Sequence, residues 1–167
     1  MENELKTLLL QECIILGDFT LHSGDHSDWK FIIENMSDLT KRKLERCIAQ
    51  HIEAQTLPIG IESGGAYIVR EAGYRIYRYG TISKDGILSL TAIGGGIHGQ
   101  WATLVDDVVT TGTSLTVATQ QLRNYGIHVV HTVCVLNRST VPNSRHFQSL
   151  LTISDVENYL RKPPNDS

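Results

Sequence analysis

Trp101-Ala-Thr-Leu-Val-Asp-Asp-Val-Val-Thr-Thr-Gly-Thr-Ser114 is the stretch on which the reading of the fold turns. Ala102 to Val105 reads as a buried strand ending in two adjacent carboxylates, Asp106 and Asp107. Small hydroxyl and glycine residues follow (Thr110, Thr111, Gly112, Thr113, Ser114), then an apolar-periodic helix from Leu115 to Leu122. Such a loop turns backbone N–H groups inward and adds hydroxyl donors. The helix contributes unpaired first-turn N–H groups and the positive end of its dipole. The acids fall at the expected carboxyl edge of the sheet, where ligands bind in open α/β folds. They repel phosphate, but they suit ribose hydroxyls or a Mg²⁺ ion shared with phosphates. The string describes a site for a phosphorylated sugar.

Working outward, strands and helices alternate. Glu4 to Leu16 has helical spacing and stops at Gly17. Phe19 to Leu21 and Trp29 to Ile33 read as a short hairpin. Ser37-Asp38 caps a helix expected over Leu39 to Ala54, with Leu44, Cys47, Ile48 and Ile52 near one face. Leu57 to Ile61 reads as a buried strand, Glu62-Ser63-Gly64-Gly65 as a loop, and Ala66 to Ala72 as a helix. Tyr74 to Tyr79 alternates like a strand, and 82–100 reads as a hairpin with turns at Lys84-Asp85-Gly86 and Gly94-Gly95-Gly96. A strand at 102–105, a helix at 114–124 and a β-branched strand from His128 to Leu136 follow. Leu150 to Ile153 is expected as a last strand, with a helix from Ser154 or Asp155 and a frayed tail at 163–167. This order implies an α/β fold with a central, mostly parallel sheet flanked by helices.

The 167 residues are 41% hydrophobic and 20% charged, the size and composition of a single globular domain, expected over 1–162. A net charge of −3 gives no electrostatic case for nucleic acid as a partner. No apolar run approaches the ~20 residues that cross a bilayer, and no basic segment precedes Leu8, so neither membrane nor leader is expected. Cys13, Cys47 and Cys134 are scattered, which suits buried reduced thiols in a cytoplasmic protein rather than a disulfide or zinc framework.

Val105 to Ser114 resembles the phosphoribosyl pyrophosphate (PRPP) motif of type I phosphoribosyltransferases. The resemblance implies that family's fold, with a small N-terminal hood mainly over 17–36 and a mobile loop about 79–98. It implies that Asp106 and Asp107 contact the ribose, that Thr110, Thr111, Gly112, Thr113 and Ser114 hold the 5′-phosphate, and that Ser63, Gly64 and Gly65 hold the pyrophosphate. Lys84, on the mobile loop, would meet the charge developing on the leaving pyrophosphate.

Further segments narrow the resemblance to orotate phosphoribosyltransferases. Gly17-Asp-Phe-Thr-Leu-His-Ser-Gly24 with Ser27 and Trp29 is similar to their hood. Lys84-Asp85-Gly86 is similar to part of their catalytic loop, Val135-Leu-Asn-Arg138 to the strand ending in the arginine that grips the orotate carboxylate, and Leu150 to Asp155 to their C-terminal segment. Catalytic roles fall on Lys84, Asp106 and Asp107, and base contacts on His22, Lys30, Phe31 and Arg138. The implied chemistry is Mg²⁺-dependent transfer from PRPP to orotate by a homodimer whose mobile loop completes the partner's site. Mg²⁺ would be held mainly by PRPP and water, without a dedicated protein metal site. His22 stands where relatives commonly have lysine, Lys30-Phe31 where they have an aromatic pair, and the segment before Lys84 has fewer basic residues than theirs. Two alternatives stay open: a different acceptor base, or a PRPP- or nucleotide-sensing module without catalysis.

Overall fold

The computed structural model describes residues 2–21, 24–72, 78–91 and 100–162. Helix α1 (Glu2–Cys13) buries Leu5, Leu9 and Cys13, four residues apart on one stripe. It stops before the expected Leu16, because Ile14 opens strand β1 (Ile14–Thr20), paired antiparallel with β2 (His26–Phe31). Cross-strand partners Phe31 and Lys30 take Ile14 and Ile15 into the sheet, and that pairing overrides the helical period. Gly17, expected to end a helix, instead marks a break in strand register between Leu16 and Phe19.

A 3-10 turn (Ile33–Asn35) leads from this two-stranded hood to α2 (Asp38–His51). Ser37 caps α2 through Thr40 N and also donates its hydroxyl to Glu12 of α1, at 2.9 Å. Capping thus ties the first two helices together at the base of the hood.

The main sheet has six strands in the order β5-β4-β3-β6-β7-β8. They are β3 (Leu57–Ile61), β4 (Gly80–Ile82), β5 (Leu88–Leu90), β6 (Trp101–Val109), β7 (His128–Asn137) and β8 (Phe147–Thr152). All neighbours are parallel except β4 and β5. Helices α3 (Gly64–Glu71), α4 (Thr113–Asn124) and α5 (Ile153–Arg161) complete the α/β fold.

Strand β6 differs from the sequence reading in a way that matters. It runs through both acids to Val109, because β7 goes on pairing with it as far as Asn137. Its other neighbour, β3, pairs only as far as Val105. Asp106 and Asp107 therefore extend past the last residue pair with β3 while the other side of their strand stays anchored. The last strand opens at Phe147 rather than Leu150, since Phe147 and Gln148 pair with Thr132 and Val133. His22, most of Tyr74 to Tyr79, Gly94 to Gly96 and the tail from Pro163 lie outside the described residues.

Two apolar cores sandwich the sheet. One joins α1, α2 and α3 to Val105, Val133 and Val135; the other joins α4 to Leu57, Ile59 and Leu104. All three thiols are buried, and burial pushes Cys13 up to about 12 and Cys47 to about 11, which leaves them neutral. Among the described residues no helix is long and apolar enough to cross a membrane.

Leu9 is fully buried beneath the hood. Leu9→Ala is expected to cost about 2–5 kcal/mol in urea unfolding. A loss below about 1 kcal/mol would mean that α1 does not pack as described.

Candidate active site

Close approach of backbone builds the site. A Cβ on Gly60 would strike the Gly65 carbonyl, one on Gly65 the Val105 carbonyl, and one on Gly64 the Asp107 carboxyl. Glycine at these positions lets α3 begin hard against the ends of β3 and β6. The Glu62–Ser63 peptide in this connection is cis.

The helices of the fold begin in two different ways. Helix α2 is capped by Ser37, and α5 carries a capping box between Thr152 and Asp155. Neither Ser63, which opens α3, nor Gly112, which opens α4, makes a side-chain cap hydrogen bond, although Thr113 N at the start of α4 donates to Thr111 Oγ1 at 3.4 Å. Gly112 adopts φ 79°, and Thr111 and Thr113 share a hydroxyl–hydroxyl bond of 2.9 Å beside it. Both uncapped ends lie at the carboxyl edge of the sheet, with the acids between them. First-turn N–H groups left without a side-chain cap are what an anion needs.

One cleft of about 500 Å³ gathers most of the expected residues: Lys30, Phe31, Ser63, Gly64, Lys84, Asp106, Asp107, Thr110, Ser114 and Arg138. Thr111, Gly112 and Thr113 line a neighbouring concavity of about 30 Å³ with Asp106. Gly65 lines neither and lies beneath, packed on β6. Phe31 is mostly built into the core under the hood. His22 lies outside the described residues.

Arg138 directly follows β7 and is held by the hood. Its guanidinium lies 3.9 Å from the centroid of the Trp29 ring, and one of its nitrogens donates to Ser27 Oγ at 3.3 Å. Its own N–H donates to the Val109 carbonyl at 2.8 Å. Partial burial lowers its pKa, an effect that the Asp28 charge opposes. A guanidinium stacked and tethered in this way presents its remaining donors in a fixed plane, suited to a planar carboxylate. Ser27 and Trp29 were legible as hood residues, but nothing in the chain marks them as partners of a residue more than a hundred positions away. Glu34, which faces the cleft from the 3-10 turn, carries no sequence signal at all.

Asp106 is only 6% exposed and accepts a hydrogen bond from Asp107 N at 2.9 Å. Burial first, and the Asp107 charge second, raise its pKa to about 8; burial also raises that of Asp107. Among the described residues no Lys or Arg is ion-paired with either acid, so the pair gains by meeting hydroxyl donors or a cation. Among the described residues no cluster of three or more His, Cys, Asp or Glu could hold a metal by itself. Two carboxylates beside an anion loop do fit Mg²⁺ that arrives on a polyphosphate, since that ion keeps water and substrate oxygens as ligands.

A parallel sheet with an acid pair between two anion-ready helix ends has the fold of a type I phosphoribosyltransferase. Residues 92–159 match the family model for the phosphoribosyl transferase domain. The orotate phosphoribosyltransferase of a Nocardioides species is 30% identical over 141 residues, covering 76% of this chain and 75% of that protein. That of Xylella fastidiosa is 26% identical over 159 residues, 87% of this chain and 73% of that protein. The solved Mycobacterium tuberculosis orotate phosphoribosyltransferase shares the fold at a TM-score of 0.75 and 20% identity, over 93% of this chain and 98% of that one. The chain belongs to the orotate phosphoribosyltransferase family.

The buried acid makes a prediction about stability. With its folded pKa raised above the unfolded value near 4, Asp106 adds stability that is complete below about pH 4 and is lost as pH climbs through about 8. Asp106→Asn removes that dependence. In thermal melts of the ligand-free protein, the variant is expected to gain on the wild type between pH 5 and pH 8.5 and to melt several degrees higher at the upper end. Melting points that stay parallel across the range would contradict the assignment.

Proposed function

We propose that the cleft transfers ribose 5-phosphate from PRPP to N1 of orotate, giving orotidine 5′-monophosphate and pyrophosphate. The observation that carries this reading is the gathering of Ser63, Gly64, Lys84, the acid pair, Thr110, Ser114 and Arg138 into one cleft at one sheet edge. In this reading residues 110–114 and the start of α4 hold the 5′-phosphate, and Asp106 and Asp107 orient the ribose hydroxyls. The start of α3 and Lys84 take the pyrophosphate, and Arg138, stacked on Trp29, holds the orotate carboxylate.

The C1′–oxygen bond to pyrophosphate breaks, the N1–C1′ bond forms, and N1 gives up its proton to water or to the leaving pyrophosphate. Positive charge grows on the sugar ring, as at glycosidic carbons, so carboxylates beside it favour the transition state over the ground state. Mg²⁺ bound to PRPP would neutralise part of the leaving charge. The remaining contribution is orientation of two reactants in a shared cleft. The reading includes a homodimer and a cytoplasmic setting, the latter from the three buried thiols. In that homodimer the mobile loop of each subunit completes its partner's site; within one chain Lys84 lines the cleft beside it.

A second reading, a different acceptor base, is favoured by one observation: Lys30 lines the cleft together with Arg138, which gives the base end two cations.

Loss of orotate absorbance on incubation with PRPP and Mg²⁺ is the direct test, with a panel of purine and pyrimidine bases alongside. Orotate alone should be consumed; turnover of another base in its place would move the assignment to the second reading. Arg138→Lys keeps the charge and loses the fork, so it is expected to raise KM for orotate by about ten-fold or more and to leave KM for PRPP unchanged. An equal rise in both would remove Arg138 from the base subsite.

A further inference from the structure

Arg138 is the first residue past β7, and its main chain is held on both sides. Its own N–H donates to the Val109 carbonyl at 2.8 Å. The next N–H, that of Ser139, donates to Oδ1 of Asn137 at 2.9 Å. Both peptide groups that flank the Arg138 Cα are therefore bonded. That fixes its φ and ψ, and with them the direction in which its side chain leaves the backbone.

The second of these bonds belongs to a knot tied by one side chain. Asn137 closes β7 with 4% exposure, paired with Val109 of β6 on one side and Thr152 of β8 on the other. Its Oδ1 also accepts from Ser139 Oγ at 2.6 Å, and its Nδ2 donates to the Val141 carbonyl at 2.7 Å. Ser139 Oγ in turn accepts from Val141 N at 3.2 Å. An amide suits this place, since it accepts through one atom and donates through the other. Val141 is 55% exposed, so apolar packing does little to hold the segment from Ser139 to Val141. The buried amide is its anchor, and a polar network with every member partnered keeps a single arrangement.

We propose that Asn137 is a positioning residue, which fixes the exit of Arg138 from β7 so that the guanidinium meets Trp29 and Ser27 in one plane. The inference rests on the reading of Arg138 as the holder of the acceptor's carboxylate. A long side chain stacked at its tip still swings about its χ angles if its Cα moves, and a swinging fork loses its bidentate geometry. The hood therefore fixes one end of the arginine and Asn137 the other. An asparagine that only ended β7 would contribute to stability and leave the guanidinium where it is.

Proton NMR of the ligand-free protein reads the place of Arg138 directly, because the Trp29 ring current moves the guanidinium N–H and neighbouring side-chain signals upfield. Asn137→Leu keeps the bulk and loses all three side-chain bonds, and it is expected to abolish most of that upfield shift. Ser139→Ala removes only the hydroxyl bonds and should cause a smaller loss in the same direction. The methyl signals of Leu9 and Ile33, in the core beneath the hood, should stay in place. In steady-state assays Asn137→Leu should raise KM for orotate by about ten-fold, with kcat and KM for PRPP changed by less than about two-fold. Added to Arg138→Ala, it should raise KM for orotate no further, since it acts through the arginine. Wild-type ring shifts in both variants would overturn the proposal, as would an equal rise in both KM values or an additive loss on the Arg138→Ala background. Should Asn137→Leu fail to fold, Ser139→Ala decides by its ring shift alone. That shift is read without any base, so failure to consume orotate would refute the proposed reaction and leave this inference to stand or fall on the shift.

Discussion

The carboxyl of Asp107 occupies the space that a side chain at position 64 would fill. This abutment sets the position of everything else in the cleft. It holds the first turn of α3 against the overhanging end of β6, and Gly60 and Gly65 extend the same contact down the strands. Because β7 keeps pairing beyond the point where β3 stops, the overhang is a rigid ledge rather than a loose loop. The anion loop follows the ledge directly, so its distance from the start of α3 is set by backbone packing.

The fold gives up stability to keep this ledge open. Helices α2 and α5, whose starts lie away from the cleft, are capped by side chains in the ordinary way. Helices α3 and α4 are not, although a serine or threonine stands within a residue of each start. A missing cap costs roughly 0.5–2 kcal/mol. Burial of two acids side by side adds to that cost. In the proposed reading a phosphorylated sugar would relieve both at once, with anions at the helix ends and hydroxyl donors at the acids. Trp29 and Ser27 of the hood hold Arg138 from the far strand, so the end of the cleft proposed for the base is assembled from opposite ends of the chain.

Much of this was legible in the sequence, because the signals are local. Strand β3 reads off its apolar run with the observed bounds, and Ser37 announces the start of α2. The small-residue loop from Thr110 to Ser114, which opens α4 beside the acids, reads off composition alone. Less local features escaped. Nothing in Ala102 to Val105 says that the strand continues to Val109, since that depends on how far β7 pairs. The end of α1 was misjudged because Ile14 and Ile15 satisfy a helical period and a strand partner equally well, and only Phe31 and Lys30 across the hairpin decide between them. The turn at Lys84-Asp85-Gly86 reads off its composition, but the bonds from Gln121 to the Lys84 carbonyl and from Tyr125 to the Gly86 carbonyl arise from contacts more than thirty-five positions apart.

The central claim is that two uncapped helix ends, held on either side of an acid pair, read a sugar that carries phosphate at both ends. Calorimetry with ribose 5-phosphate, pyrophosphate and PRPP, each with Mg²⁺, tests it most directly. The account predicts that the two fragments bind together without competing, one at each helix end, and that PRPP binds far more tightly than either because it joins them. Competition between the fragments, or PRPP no tighter than the better fragment, would contradict it.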